Sequence, residues 1–262
     1  MGTITKALDL LDHFSVTRPE IALSEFHRLT GRDKATLHRH LAELEQAAFV
    51  ERDRMTRAYR LGPAVLRLAY VRERAFPARS AVAPTVDAMS ERLGELVHVS
   101  LLQGLALSPL YHADATMHAT RVFYDDGELL PLHATSSGLA ALAFGPPDLL
   151  DRALASPLER FTDHTLTEPG ALRALTEQTR ARGHAVTDRS FDGDVYSSAV
   201  PVFGSAGSEA IGALAVALPA GRATPETRAR IIAALLANAG RISAALGGRV
   251  PADVERLWSD AA

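Results

Sequence analysis

The most distinctive chemical groups in the sequence form a cluster of basic and hydrogen-bonding side chains just after Asp33. Lysine and arginine can contact guanine edges or phosphates, threonine can hydrogen-bond a base or a phosphate, and alanine can touch a thymine methyl group. These residue types on one face of a helix are typical of a recognition helix in the major groove of DNA. The candidate DNA-binding residues here are Lys34, Ala35, Thr36, His38 and Arg39.

A second basic group, Arg52, Arg54 and Arg57, surrounds the polar turn of a predicted β-hairpin. A basic hairpin tip next to a basic helix suits contacts with the phosphate backbone or the minor groove. Taken singly, each group also fits an ordinary solvated surface. The occurrence of both groups in this order is what predicts double-stranded operator DNA as a partner.

Three helices must position these groups. Apolar spacing predicts a first helix over residues 4–14, a short second helix that ends at Gly31, and a third helix with Asp33 as its N-cap. The hairpin follows the third helix. Because this order is typical of a winged helix-turn-helix, we predict such a DNA-binding domain over residues 1–60 and a linker helix over residues 61–77.

Another candidate site lies where a predicted helix begins after His133, in the small-residue stretch 134–138. The first turn of a helix has unpaired backbone N–H groups and the positive end of the helix dipole, and both favour an anion such as a carboxylate. The alternative is that Thr135 or Ser136 does no more than cap the helix.

Residues in the same half of the chain allow two other chemistries. Ser197 or Ser198 with His133 would make a nucleophile and a base, but no catalytic motif places them together. His112, His118 and His133 are candidate zinc ligands, although their spacing is not diagnostic. We therefore expect no catalytic residue, no cofactor and no resident metal. A metal-responsive regulator, or an enzyme built on the C-terminal domain, remains the alternative.

Composition limits the class of protein. With 262 residues, 47% hydrophobic and 23% charged, the chain is long enough for two domains and is not a disordered protein. It has no cysteine, which excludes disulfides and thiolate sites. We find neither a signal sequence nor an apolar stretch of about 20 residues, so we expect a soluble cytoplasmic protein with no membrane partner.

The net charge of −3 conceals an uneven distribution. Residues 1–77 contain 13 basic and 10 acidic side chains, whereas the remainder contains 15 basic and 21 acidic ones. This asymmetry suggests that the first part contacts a polyanion. The later part alternates predicted helices with strands, including one over residues 120–125, which indicates an α+β domain. We place this domain at residues 78–247 and regard residues 248–262 as a C-terminal tail.

Several segments in order resemble the IclR family of bacterial transcriptional regulators. They are TITKALDLLDHF, LSEFHRLTGRDKATLHRHLAELEQAAFVER, AYRLGPAVLRLA, LPLHATSSGLAALAF and RGHAVTDRSFDGDVYSSAVPVF. The resemblance covers about residues 3–246. It implies a winged helix-turn-helix, a linker helix and a GAF/PAS-like α/β effector-binding domain. It also implies a homodimer or homotetramer that binds a palindromic operator and responds to a small-molecule effector.

The resemblance also implies which residues contact the effector. In the family, the small residues that match Ser136 and Ser137 bind the acid group. The full set of implied positions is Ser136, Ser137, Asp188, Val195, Ser197, Ala215 and Ala217. Ala215 and Ala217 stand where some members have hydroxyl groups, and Leu139 replaces the family's usual lysine. The two alanines predict a roomier, less polar pocket that suits a larger or aromatic acid, whereas the loss of the lysine removes a positive charge near the site. The expected effector is a small organic molecule, such as a carboxylic or aromatic acid.

Overall fold

The computed structural model describes residues 2–114, 118, 120–124 and 127–260. Contacts divide the chain into two compact units, residues 1–77 and residues 78–262. Within the described residues, no helix is both long enough and apolar enough to cross a bilayer.

The first unit contains four helices and a small antiparallel sheet. The helices are α1 (Thr3–Leu8), α2 (Leu23–Thr30), α3 (Lys34–Gln46) and α4 (Pro63–Ala75), and a short 3-10 turn covers Leu11–His13. The strands are β1 (Glu20–Ile21), β2 (Val50–Arg52) and β3 (Tyr59–Leu61), in the order β1-β3-β2. The β2–β3 hairpin follows α3 directly, which confirms the predicted winged helix-turn-helix.

The helix predicted over residues 4–14 is interrupted in the structure. Leu10 is fully buried, whereas Ile4 is exposed, so the apolar spacing does not describe one continuous buried face. The guanidinium of Arg32 donates to the carbonyl of Lys6 at 2.6 Å and so satisfies an acceptor at the end of α1. This break allows the chain to turn and to place Leu10 in the core.

Local signals fix the turn between α2 and α3. Gly31 has φ +66°, a left-handed conformation that favours glycine, and it ends α2. The carboxylate of Asp33 accepts a hydrogen bond from the backbone N–H of Thr36 at 2.8 Å, which makes Asp33 the N-cap of α3. Both predicted end signals are therefore confirmed.

The second unit is a six-stranded antiparallel sheet with helices on both faces. Its strands are β4 (Leu96–Gln103), β5 (Ala106–Ala113), β6 (Leu130–Pro131), β7 (Ala185–Asp188), β8 (Val195–Phe203) and β9 (Ala210–Pro219), in the order β6-β5-β4-β9-β8-β7. Its helices are α5 (Ala78–Leu93), α6 (Ser136–Phe144), α7 (Leu149–Leu154), α8 (Pro169–Arg182), α9 (Pro225–Ala245) and α10 (Ala252–Asp260). This confirms the predicted α+β class.

The two faces of this sheet differ in side-chain size, because successive residues of a strand point to opposite faces. Large side chains such as Val97, Val200 and Leu214 pack against α5 and α9. Small side chains such as Ala199 and Ala213 pack against α6 on the other face. The small-residue face leaves room for a cavity beside α6.

Two segments differ from the sequence prediction. Residues 120–124, predicted as part of a strand, lie outside the sheet. The segment after residue 248 contains α10, where a tail was expected. Its Val254 and Trp258 are buried, and the indole N–H of Trp258 donates to the Gly183 carbonyl at 2.7 Å. The i, i+4 spacing of these two residues is a helical signal that the tail assignment overlooked.

Candidate functional site

Helix α3 separates apolar from polar side chains by its 3.6-residue period. Leu37, Leu41 and Leu44 are buried in the core of the first unit. Among the predicted DNA-binding residues of α3, Lys34, Ala35, His38 and Arg39 are exposed and Thr36 is half-buried. The predicted groups therefore share one accessible surface. Their contact with DNA stays a prediction.

Four cations on α3 and the hairpin are available to bind a polyanion. Lys34, Arg39, Arg54 and Arg57 have no side-chain hydrogen bond or ion pair with any residue that the structure describes. Arg60 differs, because the Glu51 and Glu20 carboxylates neutralise it. Free cations offer phosphate groups a full positive charge, since no internal partner competes for it.

The arginines of the hairpin differ in their contacts. The Arg52 guanidinium lies 5.1 Å from the centre of the Tyr59 ring, and its Nε donates to the Arg57 carbonyl at 3.0 Å. Arg52 therefore folds back onto the hairpin. Arg54 and Arg57 are exposed near the turn. Asp53 holds that turn by accepting hydrogen bonds from the backbone N–H groups of residues 55 and 56 at 2.8 and 2.7 Å.

The second unit contains a cavity of about 230 Å³ between the small-residue face of the sheet and the first turn of α6. Residues 122–124, which precede β6, form another wall. The remaining described lining residues are Leu96, His98, Glu128, Leu130, Thr135, Ser136, Ser137, Thr187, Phe191, Asp192, Val195, Ser197 and Ala217. A wider and more open depression of about 900 Å³ lies beside α9 and α10, and none of the predicted effector-binding residues lines it.

The first turn of α6 presents hydrogen-bond donors at this cavity. Thr135 is the N-cap, because its Oγ1 accepts from the Gly138 N–H at 3.0 Å. Ser136 and Ser137 are almost fully buried, and among the described residues no partner exists for their backbone N–H groups. Gly138 permits close packing here, since a Cβ would lie 2.4 Å from the Leu132 backbone. The capping role falls to Thr135, so the backbone N–H groups of the two serines take no part in the cap.

A chain of hydroxyl groups extends from this turn into the sheet. Ser197 on β8 donates to Ser136 Oγ at 2.8 Å, and its Oγ lies 2.8 Å from Thr187 Oγ1 on β7. Five residues of the predicted effector set line this one cavity: Ser136, Ser137, Val195, Ser197 and Ala217. Whether they contact an effector stays a prediction.

Two members of the predicted set lie elsewhere. Asp188 follows Thr187 on β7 and faces the opposite way, where its carboxylate pairs with Arg228 of α9 at 3.7 Å. Ala215 has the same facing as Ala217, but it is fully buried in the apolar cluster against α6. Leu139 is fully buried in that same cluster. Asp188 and Ala215 are therefore not in the lining of this cavity, and whether they contact an effector stays a prediction.

The cavity lining also contains a histidine that is not among the predicted site residues. His98 on β4 is 5% exposed, and its Nδ1 lies 3.1 Å from Ser100 Oγ. Ser100 Oγ lies 3.1 Å from the Tyr124 hydroxyl, and the Tyr124 ring centre is 4.6 Å from that of His98. Burial lowers the pKa of His98 to about 3, with a smaller contribution from His112, so the ring is neutral at pH 7. The period-2 alternation of polar residues in β4 was the signal for it.

The residues considered for catalysis do not assemble. The Nε2 of His133 is 2.8 Å from the Glu159 carbonyl, and the Ser197 hydroxyl belongs to the chain described above. Ser198 donates to the Tyr196 hydroxyl at 3.4 Å, on the other face of the sheet. Across the described ranges, no group of three or more histidine or acidic side chains is arranged to hold a metal ion.

Two protein-family models match the chain. The IclR helix-turn-helix domain matches residues 3–54, and the bacterial transcriptional regulator IclR C-terminal domain matches residues 74–244. The chain is 34% identical over 213 residues to the HTH-type transcriptional regulator BhcR of Paracoccus denitrificans, which covers 80% of this chain and 75% of that protein. These matches are to regulators, which confirms the prediction that the chain is not an enzyme.

Solved structures show the same likeness. A crystal structure described as an IclR transcriptional regulator from Silicibacter sp. TM1040 superposes with a TM-score of 0.88 at 44% identity, covering 96% of this chain and 99% of that one. An IclR homologue from Microbacterium hydrocarbonoxydans, complexed with 4-hydroxybenzoate, has a TM-score of 0.70 at 24% identity and covers 94% and 99%. Because only 24% of the residues are identical, the similarity to the Microbacterium protein shows a shared fold and nothing further.

Proposed function

The chain belongs to the IclR family of bacterial transcriptional regulators, and from this premise we propose that it binds operator DNA through α3 and the hairpin and releases or tightens that binding when a small organic acid occupies the cavity beside α6. The observation that carries the proposal is the pair of unpartnered backbone N–H groups at Ser136 and Ser137, buried at a cavity in the unit that does not contain the DNA-binding helix.

The DNA-binding half of the proposal rests on residue type and exposure. Lys34 and Arg39 are unpaired cations at the N-terminal part of α3, the part that contacts base edges in helix-turn-helix proteins. A twofold dimer would present two such helices to the half-sites of a pseudo-palindrome. The DNA is in the bacterial cytoplasm, so we propose that the protein acts there as a homodimer or a homotetramer.

The effector half of the proposal rests on the cavity. Unpaired N–H groups at a helix N-terminus bind a carboxylate without a cationic side chain. The volume of about 230 Å³ lies below the roughly 300–1,000 Å³ of pockets for drug-sized ligands, so the effector is compact. The half-buried rings of Tyr124 and Phe191 contribute flat apolar surface to the lining. A compact aromatic acid such as 4-hydroxybenzoate, which the Microbacterium homologue binds, has the size and groups that such a site requires.

In this proposal, the effector changes DNA binding because its affinity differs between two conformational states of the protein. An effector changes operator binding only if it binds one conformational state more tightly than the other. The DNA then changes the affinity for the effector by the same factor. This reciprocity gives the proposal a quantitative check that does not require knowledge of the conformational change.

The test is selection of duplexes bound by the purified protein from a random library, followed by titration of the selected duplex with and without organic acids. We expect an enriched inverted repeat and an affinity that one acid alters by fivefold or more, on the order of a 1 kcal/mol coupling. Enrichment of no sequence would refute the DNA-binding half, and an affinity that no acid alters would refute the effector half.

A further inference from the structure

The cavity has a further polar group on β4, besides the first turn of α6 and the hydroxyl chain of Ser197 and Thr187. His98 lies on β4 and lines the cavity, and its Nδ1 is engaged by Ser100. Its other ring nitrogen, Nε2, has no hydrogen-bond partner among the described residues. The Nε2 atom is not fully enclosed by protein and keeps some accessible surface. A nearly buried ring in the cavity lining thus has one hydrogen-bonding atom that no described residue occupies.

The His98 ring is held in place from two sides. Ser100 is fully buried and bridges His98 to the Tyr124 hydroxyl, with both distances at 3.1 Å. The Tyr124 ring also lies against His98 and against His112, with ring centres 4.6 and 5.0 Å apart. A fixed ring loses little conformational freedom on binding, so its contact contributes fully to specificity.

The neutrality of the ring decides which group it recognises. Burial keeps His98 uncharged at pH 7, so one ring nitrogen is a donor and the other an acceptor. The proton arrangement along the His98–Ser100–Tyr124 chain sets whether Nε2 donates or accepts. A hydroxyl group can both donate and accept, so it satisfies Nε2 in either arrangement. A carboxylate can only accept, and it gains no ion pair from a neutral ring.

Charge around the cavity also disfavours a second carboxylate. No lysine or arginine is among the described lining residues, whereas Glu128 and Asp192 are. A ligand anion at the α6 turn has the helix N-terminus as its partner. A second anion in the same cavity would lose hydration without a compensating cation.

We propose that His98, fixed by Ser100 and Tyr124, is a second recognition point for the effector and selects a monocarboxylic acid that also has an alcohol or phenol hydroxyl group. The carboxylate lies at the backbone N–H groups of Ser136 and Ser137, and the hydroxyl group hydrogen-bonds to His98 Nε2. This inference rests on the proposed acid-binding function and adds the identity of the second group.

The test compares matched probes by isothermal titration calorimetry on the full-length protein. One set is 4-hydroxybenzoate, benzoate and terephthalate; the other is 4-hydroxybutyrate, butyrate and succinate. In at least one set we expect the hydroxy acid to bind about three- to tenfold more tightly than the unsubstituted acid, as one hydrogen bond of roughly 1 kcal/mol gives. We expect the dicarboxylate to bind more weakly than the hydroxy acid.

Two variants connect this preference to His98. H98L removes the hydrogen bond, so the hydroxy acid and its unsubstituted analogue should then bind equally. H98N retains a neutral hydrogen-bonding group and should keep part of the preference. Thermal melting of both variants verifies their folding. If H98L does not fold, H98N and S100A replace it. S100A removes the hydrogen bond that fixes the ring, and each of these two variants should lose part of the preference for the hydroxy acid.

The outcomes separate the two proposals. Equal binding of hydroxy acid and analogue by the wild type, or a preference that the His98 and Ser100 variants leave intact, overturns the assignment of His98 and leaves acid binding standing. Failure of all six acids to bind overturns both the assignment and the acid-binding proposal on which it rests.

Discussion

Arg222 holds the buried carboxylate of Glu95 with two guanidinium nitrogens and donates to the Thr120 carbonyl with a third. The Nε–Oε1 distance is 2.9 Å, and Nη1 lies 2.8 Å from the carbonyl oxygen. Glu95 directly precedes β4 and is 5% exposed. Thr120 begins the segment whose residues 122–124 line the cavity. One side chain therefore neutralises a buried charge and anchors a cavity wall to the sheet.

R222A should lower the free energy of unfolding by about 3 kcal/mol, because it leaves the Glu95 carboxylate buried without a partner. Urea unfolding measures this change. The matched control adds E95Q to R222A: a neutral amide needs no counterion, so the double variant should regain part of the loss. Equal stability of R222A and the wild type would show that the pair contributes little.

Removal of the unpaired cations of α3 should weaken operator binding without affecting the fold. We expect R39A to lose about 1–3 kcal/mol of binding free energy if Arg39 contacts a base. We expect K34A to lower the slope of log affinity against log salt concentration by about one, because one phosphate contact is lost. Fluorescence anisotropy with the selected duplex at several salt concentrations measures both. R249A is the control, since it removes an exposed arginine from the other unit. Wild-type affinity and salt dependence in both α3 variants would exclude this surface.

The hairpin arginines should separate into two kinds. R52A removes the contact with Tyr59 and the bond to the Arg57 carbonyl, so we expect a loss of about 1 kcal/mol in the stability of the first unit. R54A should leave stability unchanged and weaken DNA binding at low salt, since Arg54 has no internal partner. Thermal melting and DNA titration of both variants give the comparison. Equal stability effects would contradict the division.

Features set by neighbouring residues were predictable from the sequence. Gly31 and Asp33 mark helix ends through their own backbone and side-chain preferences, so the recognition helix was located correctly. The break near Leu10 was not predictable, because it depends on Arg32, which is distant in sequence. The helix α10 was predictable from the i, i+4 spacing of Val254 and Trp258, but its packing was not. The burial of Trp258 requires Gly183, and no local pattern announces that contact.

The cavity was predictable only in part for a related reason. The resemblance supplied Ser136 and Ser197, which the structure brings within 2.8 Å. It also supplied Asp188, which lies one residue beyond the cavity-facing Thr187 and so points to the other face of the sheet. A shift of one residue reverses the facing of a strand position. The alternation in β4 predicted that His98 and Ser100 share a face, but the position of that face at the cavity depends on the pairing of β4 with distant strands.

Ser197 and Ser198 give a matched test of the cavity, because they are neighbours on β8 with opposite facing. S197A removes a hydroxyl that lines the cavity and donates to Ser136, and we expect a roughly three- to tenfold loss of affinity for the acid that binds best. S198A removes a hydroxyl on the other face and should leave this affinity unchanged. Calorimetric titration of both variants measures it. A larger loss in S198A would place the ligand elsewhere.

The neutral state of His98 makes stability depend on pH in a defined direction. Its pKa is lowered from 6.5 to about 3 in the folded protein, so below pH 6.5 the unfolded chain binds a proton that the folded protein does not. Stability therefore falls as the pH drops from about 6.5 towards 3, by up to about 1.4 kcal/mol per unit from this residue. H98N removes the titrating group. The difference in unfolding free energy between the wild type and H98N, measured by urea at pH 7, 6 and 5, should shift steadily in favour of the variant. A difference that does not change with pH would mean that the His98 ring accepts a proton as readily in the folded protein as in the unfolded chain.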